Sequence, residues 1–261
     1  LDAYATHHSY FGRYHRFGYT KEGEEGFVFC PNGEKMAGFL TDTKAGIDAT
    51  FGWDGGVAML DASYRHRMAD DANYFQKTGG FEVNGRVRSL RGEEPHFLYD
   101  ADVKYHFLGS DQSYLGADAS TIAESWFGLD GTFGPVFSAD HRVVADLDLQ
   151  LARYMGDATG YTGGLSLTPK YIFNLDRWHF SLGAKVSWLL YSEDFDFWQK
   201  EYRHSSGIIY PDVHVDFHLL DDRLVLQTSA TGGDRFHTYS GRFFNHPFSG
   251  VNSFGHSRER S

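Results

Sequence analysis

Apolar and polar residues alternate with a period of two along most of this chain, which is the signature of strands with one buried and one wet face. Between His96 and Leu108, Phe97, Tyr99, Ala101, Val103, Tyr105 and Phe107 form one series, and Asp100, Asp102, Lys104 and His106 belong to the other. The same alternation recurs at Ile47–Trp53, Phe81–Arg88, Val143–Leu151, Leu165–Asn174, Trp178–Leu190 and Asp212–His218. Weaker alternation near 1–15, 57–67, 126–134 and 223–233 brings the total to roughly eleven strands.

Alternation alone is shared by soluble β-sandwiches and by barrels in lipid. Three features favour the barrel. Short connections at Asp54-Gly55-Gly56, 90–95, 134–140, Asp176-Arg177 and Leu220-Asp221-Asp222 alternate with longer ones at 16–45, 68–80, 109–125, 156–164 and 192–206. Such parity marks a barrel with short turns on one rim and long loops on the other. The rings are banded: Phe51, Trp53, Phe97, Tyr99, Phe133, Tyr171, Phe173, Trp178, Phe180 and Phe217 fall near the short-turn rim. Tyr64, Phe81, Tyr105, Phe107, Phe127 and Trp188 fall near the other, and small aliphatics such as Ala101, Val103, Ala184 and Val186 lie between. Two aromatic bands suit the two interfaces of a bilayer, where a ring buries while its OH or NH stays wet. Strands of about 9–14 residues, at ~3.3 Å per residue, also suit a tilted crossing.

These patterns predict an all-β fold, an antiparallel up-and-down transmembrane β-barrel of about 12–14 strands, filling residues 1–261 as one domain. An odd count does not close an ordinary bacterial barrel, so one strand is expected in addition, within 240–254 or beyond the chain. Pro169 and Pro211 fall inside strands, where each removes a ladder donor, and bulges or distorted pairing are expected at both.

Composition supports this reading. Aromatic residues make up 17% of the 261 and there are 30 Gly, yet mean hydropathy is −0.44 and no apolar run reaches the ~20 residues a spanning helix needs. The formal charge of −11 argues against nucleic acid as a partner, since phosphate binding needs a basic surface. Cys30 stands alone, so no internal disulfide forms. The absence of a signal peptide at Leu1 marks the sequence as a mature chain or a fragment.

Ile208-Ile209-Tyr210-Pro211-Asp212-Val213, then Arg223-Leu224-Val225-Leu226, Thr231-Gly232-Gly233 and Asn245-His246-Pro247-Phe248, carry a resemblance. With the opening Leu1-Asp2-Ala3-Tyr4 matching more loosely, the chain resembles Bacteroidetes outer-membrane barrels labelled TonB-dependent-receptor-like. The resemblance implies a bacterial outer-membrane barrel. A full receptor adds a globular plug to a barrel of about 22 strands, more than this length holds. The ending Arg258-Glu259-Arg260-Ser261 lacks the final aromatic residue usual in such barrels, which favours a partial chain.

Catalytic and metal chemistry find little support in the sequence. His7 and His8 are adjacent and would point to opposite faces, while His214 and His218 share a face about 13 Å apart, too far to chelate one ion. No GxSxG occurs, and Ser9 beside His7 and His8 forms no recognisable triad. The expectation is a protein with no enzymatic activity, cofactor or metal.

The candidate functional residues are therefore those facing the lumen: Asp100, Asp102, Lys104, Asp146, Asp148, Lys170, Lys185, Asp212, His214 and Asp216. In an open pore they favour cations or sugars; in a closed one the carboxylates pair with the lysines. The leading expectation is a channel or uptake component for small polar solutes, set in outer-membrane lipid. The alternative is a structural, non-conducting barrel subunit of a larger outer-membrane complex, whose long loops meet other outer-membrane proteins or lipoproteins.

Overall fold

A computed structural model describes residues 1–15, 17–19, 27–29, 35–71, 74–90, 97–114, 120–138, 140–157, 159–191, 207–219, 223–236, 238–240 and 258–260. Among these, the alternating segments form β1 (Asp2–His15), β4 (Lys35–Trp53), β5 (Gly56–Asp71), β6 (Tyr74–Ser89), β7 (Phe97–Tyr114) and β8 (Ser120–Pro135). They continue with β9 (His141–Gly156), β10 (Gly160–Leu175), β11 (Trp178–Tyr191), β12 (Ile208–Leu219) and β13 (Leu224–Thr231). Two small antiparallel pairs stand apart: β2 (Phe17–Tyr19) with β3 (Phe27–Phe29), and β14 (Asp234–Phe236) with β15 (Arg258–Arg260).

The eleven long strands form one antiparallel sheet in which each pairs with its neighbour in the chain, the β2–β3 hairpin lying between β1 and β4 in sequence. This is the up-and-down β-barrel architecture, with all eleven strands predicted by the alternation in place. Among the described residues β1 and β13 are the edges, and both run away from the Asp54-Gly55 rim. The strand expected within 240–254 lies, but for Ser240, outside the described residues.

Burial separates the two faces. On β6 to β9, Gln76, Thr78, Leu108, Ser110, Gln112, Ile122, Glu124, Val144, Ala152 and Tyr154 are buried on one face. The other face exposes Phe81, Val87, Phe97, Val103, Val143 and Leu151, as β10 and β11 expose Leu167, Tyr171, Leu182 and Trp188. A sheet that encloses polar side chains such as Gln76, Thr78, Ser110, Gln112 and Glu124 beside a small apolar cluster, while most of its large apolar residues face outward, is inside-out relative to a water-soluble core. The outward rings stack as the banding predicts. Near the short-turn rim a continuous run passes from Tyr171 to Phe173 (centroids 5.4 Å), Phe180 (4.6 Å), Trp178 (5.6 Å) and Phe217 (4.2 Å). Near the other rim Phe81 meets Tyr105 at 5.7 Å and Phe107 at 5.9 Å.

Three sequence expectations are corrected. The connections read as long at 68–80, 109–125 and 156–164 are mostly strand, leaving only 72–73, 115–119 and 157–159 between β5 and β6, β7 and β8, and β9 and β10. Hydrogen bonding outruns alternation here: Ser110, Asp111 and Gln112 on β7 are polar on both faces yet remain in the ladder with β6 and β8, and Ser113 remains paired with β6. The 16–45 loop likewise gives way to the β2–β3 hairpin and to β4 from Lys35. The loop at 192–206 and the turn at 220–222 lie outside the described residues, as does most of the connection at 90–95.

At the prolines the expected distorted pairing appears at Pro169 but not at Pro211, and neither produces a bulge. Register is unbroken across both, with Pro211 paired to Ala184, and only the ladder between Leu167–Val186 and Lys170–Gly183 is interrupted, at Thr168 and Pro169. Ala184 thus lies between the two prolines, opposite Pro211 on β12 and opposite Pro169 on β10 by register. A residue in an antiparallel sheet directs its N–H and C=O to one side only, so a single proline meets it at a hydrogen-bonding position, which accounts for one local gap in place of a bulge.

Turn chemistry fixes the rims. Asp176 takes a left-handed φ of 51° in the two-residue Asp176-Arg177 turn, a conformation an aspartate tolerates. Gly156 and Gly160 bracket the β9–β10 connection with φ of 103° and 142°, which a side chain would make costly.

Candidate functional site

Strand parity assigns all ten predicted residues to the enclosed face, and the structure brings most of them into ion pairs. Arg86 on β6 donates two hydrogen bonds to Asp100 on β7, at 2.7 and 2.9 Å, and lies 3.6 Å from Asp102. Lys104 reaches Asp130 on β8 at 3.5 Å. Lys170 on β10 bridges Asp146 on β9 at 2.7 Å and Asp212 on β12 at 2.8 Å, and Asp212 also holds the His214 ring nitrogen at 2.9 Å. Thr132 donates to Asp146 at 2.7 Å, and Gln150 donates to Asp148 at 3.3 Å. Lys185 and Asp216 face the same interior but form no ion pair among the described residues.

The pairing follows from register. Arg86, Asp102, Asp130 and Asp148 occupy one rung across β6, β7, β8 and β9. Directly opposed like charges on adjacent strands are unfavourable. Arg86 offsets this at one end and Lys104 at Asp130, while among the described residues Asp148 is bonded by Gln150 alone. A second acidic rung, Asp2, Asp48 and Asp61, crosses β1, β4 and β5, where Tyr4 and Asn84 donate to Asp61 at 3.2 Å each. Arg65 makes two hydrogen bonds to Asp42 on the same wall.

Sequence reading missed the most enclosed side chain among the described residues. Glu124 on β8 is 0% exposed, and its carboxylate accepts from the Tyr239 N–H at 2.7 Å, the Ser240 N–H at 3.3 Å and the Ser240 hydroxyl. His106 Nε2 lies 2.8 Å from Oε1, the oxygen that also accepts the Ser240 hydroxyl. Tyr239 packs with Leu108, Ile122, Ala152 and Tyr154, with Trp126 against them, and Gln112 donates to its phenol at 3.3 Å. Burial holds that phenol above the ordinary tyrosine range, so it remains neutral. Thus residues 238–240, which follow the last long strand in sequence, lie inside against the wall. Glu124 escaped notice because β8 carries Ile122 and Trp126 on the inner face and Phe127 and Leu129 on the outer, which blurs its alternation. Asp130 was missed for the same reason.

Among the described residues no group of three or more His, Cys, Asp or Glu side chains is placed to hold a metal ion. His7 bonds Thr43 at 2.8 Å and His141 bonds the Tyr171 phenol at 2.8 Å, both on the outer face.

No family model matches the chain, and no curated protein matches it. Among solved structures, the chain is similar to the beta domain of the Bordetella autotransporter BrkA, with a TM-score of 0.37 and 12% identity over 71% of this chain and 80% of that one.

Proposed function

We propose that this chain is the wall of a bacterial outer-membrane β-barrel whose interior is occupied by its own residues 238–240, and that it serves as a structural, non-conducting subunit. The observation that carries the reading is the Glu124 carboxylate, enclosed and accepting from two backbone N–H groups of that inner segment. A buried carboxylate is tolerated only when its hydrogen-bonding capacity is met, so the segment and the wall stabilise one another. The paired state of Asp100, Asp146 and Asp212 points the same way, since carboxylates committed to Arg86 and Lys170 contribute little to a selective pore. Membrane placement rests on the outward apolar band between two ring belts. The partners of such a subunit are outer-membrane lipid and, through the rim opposite the Asp54-Gly55 turn, other outer-membrane proteins or lipoproteins.

The second reading, a channel for small polar solutes, is favoured by the Asp102–Asp130–Asp148 rung, which carries three carboxylates against the two cations beside it. Planar-bilayer conductance separates the two. The intact chain is expected to give no steady current, and Glu124→Ala, which frees the inner segment, to give intermittent openings. A steady cation-selective current from the intact chain overturns the subunit reading in favour of the channel.

A further inference from the structure

β1 is an edge of the wall, and its sequence does not protect it. Its 14 residues pair without a break to β4, from Asp2–Asp48 to His15–Lys35, with no proline and no bulge to blunt the edge. In an antiparallel pair every second residue turns its N–H and C=O away from the partner strand, so β1 presents a row of backbone donors and acceptors on its far side. Among the described residues no strand takes them up. The side chains agree, since Asp2 and Thr6 on the inner face and Ala3 and Ala5 on the outer are all exposed. Ala3 and Ala5 share rungs with Ile47 and Ala45 on β4 and with Ala62 and Tyr64 on β5, at the join of the apolar band and the upper ring belt. In hydrocarbon no water replaces a missing partner, so an edge left open at this height does not persist in a bilayer.

Charge narrows what covers it. Asp2 meets Asp48 and Asp61 on one rung, and among the described residues none of the three forms an ion pair. Lys44 on β4 lies over the Tyr4 ring, 5.6 Å from its centroid. Lys104, further along the same rung beyond Asn84, reaches Asp130 at 3.5 Å. Like charges on adjacent strands repel, and an opposite charge on the next strand relieves them, so the open end of this rung at Asp2 calls for a cation. The edges of the wall itself do not supply one. β13 runs in the same direction as β1, as does either edge of a second copy inserted in the same orientation, and each would add in parallel to a sheet that is antiparallel throughout. By register β13 carries Val225, Gln227, Ser229 and Thr231 inward, none of them charged.

We propose that β1 docks an antiparallel β-strand donated by another protein, with a Lys or Arg on its inner face opposite Asp2 and small apolar side chains on its outer face beside Ala3 and Ala5. Backbone hydrogen bonds give such a contact its strength, and the alternate side chains give it selectivity. The inference names a partner for the subunit reading above and rests on it: a wall with an open edge in lipid is one piece of a larger assembly.

The full chain in non-ionic detergent is mixed with a synthetic strand matched to β1 in length, valine alternating with threonine and a single lysine placed opposite Asp2. Amide hydrogen exchange of Asp2 to Thr6, read by mass spectrometry, is expected to be rapid in the chain alone and to slow about tenfold with the peptide. Affinity, read by fluorescence anisotropy of the dye-labelled peptide, is expected to fall about tenfold when glutamate replaces the lysine. Asp2→Asn is expected to abolish that preference and Asp2→Lys to reverse it; Asp2 is exposed, so both variants keep the wall. A peptide N-methylated on the residues facing β1 is expected not to bind, because it lacks the donors a strand needs. Slow exchange of β1 before any peptide is added shows that this chain closes its own edge, and overturns the proposal. Equal binding of the N-methylated peptide, or of the lysine and glutamate peptides, overturns it as well. Conductance of the same preparation is scored separately. A silent chain that takes no peptide refutes the donated strand alone, and a steady current from the intact chain refutes the subunit reading and the donated strand with it.

Discussion

The Tyr239 N–H donates to the Glu124 carboxylate at 2.7 Å across 115 positions of sequence, joining the segment that follows the last long strand to the middle of the wall. Neither partner belongs to the alternating pattern that defines the sheet's outer face, and both are almost fully enclosed. Glu124→Ala leaves two backbone donors, the Ser240 hydroxyl and His106 without their acceptor. It is expected to cost on the order of 2–4 kcal/mol, against about 1 kcal/mol for Ser240→Ala. Urea unfolding followed by tryptophan fluorescence checks this, because Trp126 stacks on His106 at 5.1 Å and reports the same corner. Equal effects of the two substitutions refute the role of Glu124 in holding residues 238–240 to the wall.

Lipid contact is tested on the outer face. Val103→Arg and Ala184→Arg place a cation on exposed apolar positions and are expected to destabilise the barrel by roughly 2–4 kcal/mol in bilayers. Asp102→Asn, one residue away on the inner face, is expected to cost far less, since its contact with Arg86 is long at 3.6 Å. Comparable losses on both faces mean that the outer face does not meet lipid.

The inner ion pairs differ in weight. Lys170 is 17% exposed and holds Asp146 and Asp212 together, so Lys170→Ala leaves Asp146 to Thr132 and Asp212 to His214 with no fixed cation between them, and is expected to cost about 2–3 kcal/mol. Lys104 and Asp130 are 43% and 52% exposed, and Lys104→Ala is expected to cost under about 1 kcal/mol. Urea midpoints of the two variants, measured side by side, give the comparison. Equal midpoints show that the interior is uniformly wet and that the Lys170 bridge contributes no more than a surface pair.

Topology is read by labelling. With Cys30 replaced, a cysteine at Thr159, in the β9–β10 connection, is expected to react with an impermeant reagent on intact cells. One at Gly55, in the β4–β5 turn, is expected to react only after lysis. The reverse pattern inverts the orientation of the wall.

The fold class was legible in the sequence because period-two alternation is local. Each of Phe97, Tyr99, Val103 and Tyr105 reports its face through its immediate neighbours, so the eleven strands, their inner and outer faces and the ring bands were all accessible. Strand ends were less so. Beyond the apolar band both faces are polar, as at Ser110 to Ser113, and hydrogen bonding continues where the hydrophobic signal stops. The parity of short and long connections was overstated for that reason.

The inner residues were assigned to the right face by parity alone, but parity is silent about neighbours. Whether Asp212 met water or Lys170 depended on the register of β10, β11 and β12, which brings them together across Gly183. Glu124 and Asp130 lay beyond reach because β8 is apolar on both faces, one side toward the outer belt and the other toward Tyr239. The sequence by itself determined the strands and their facing, since both depend on the side chains' alternation along one strand. Only the tertiary structure decided which charges pair and that residues 238–240 return to the inner wall, because those contacts join strands whose proximity no local pattern encodes.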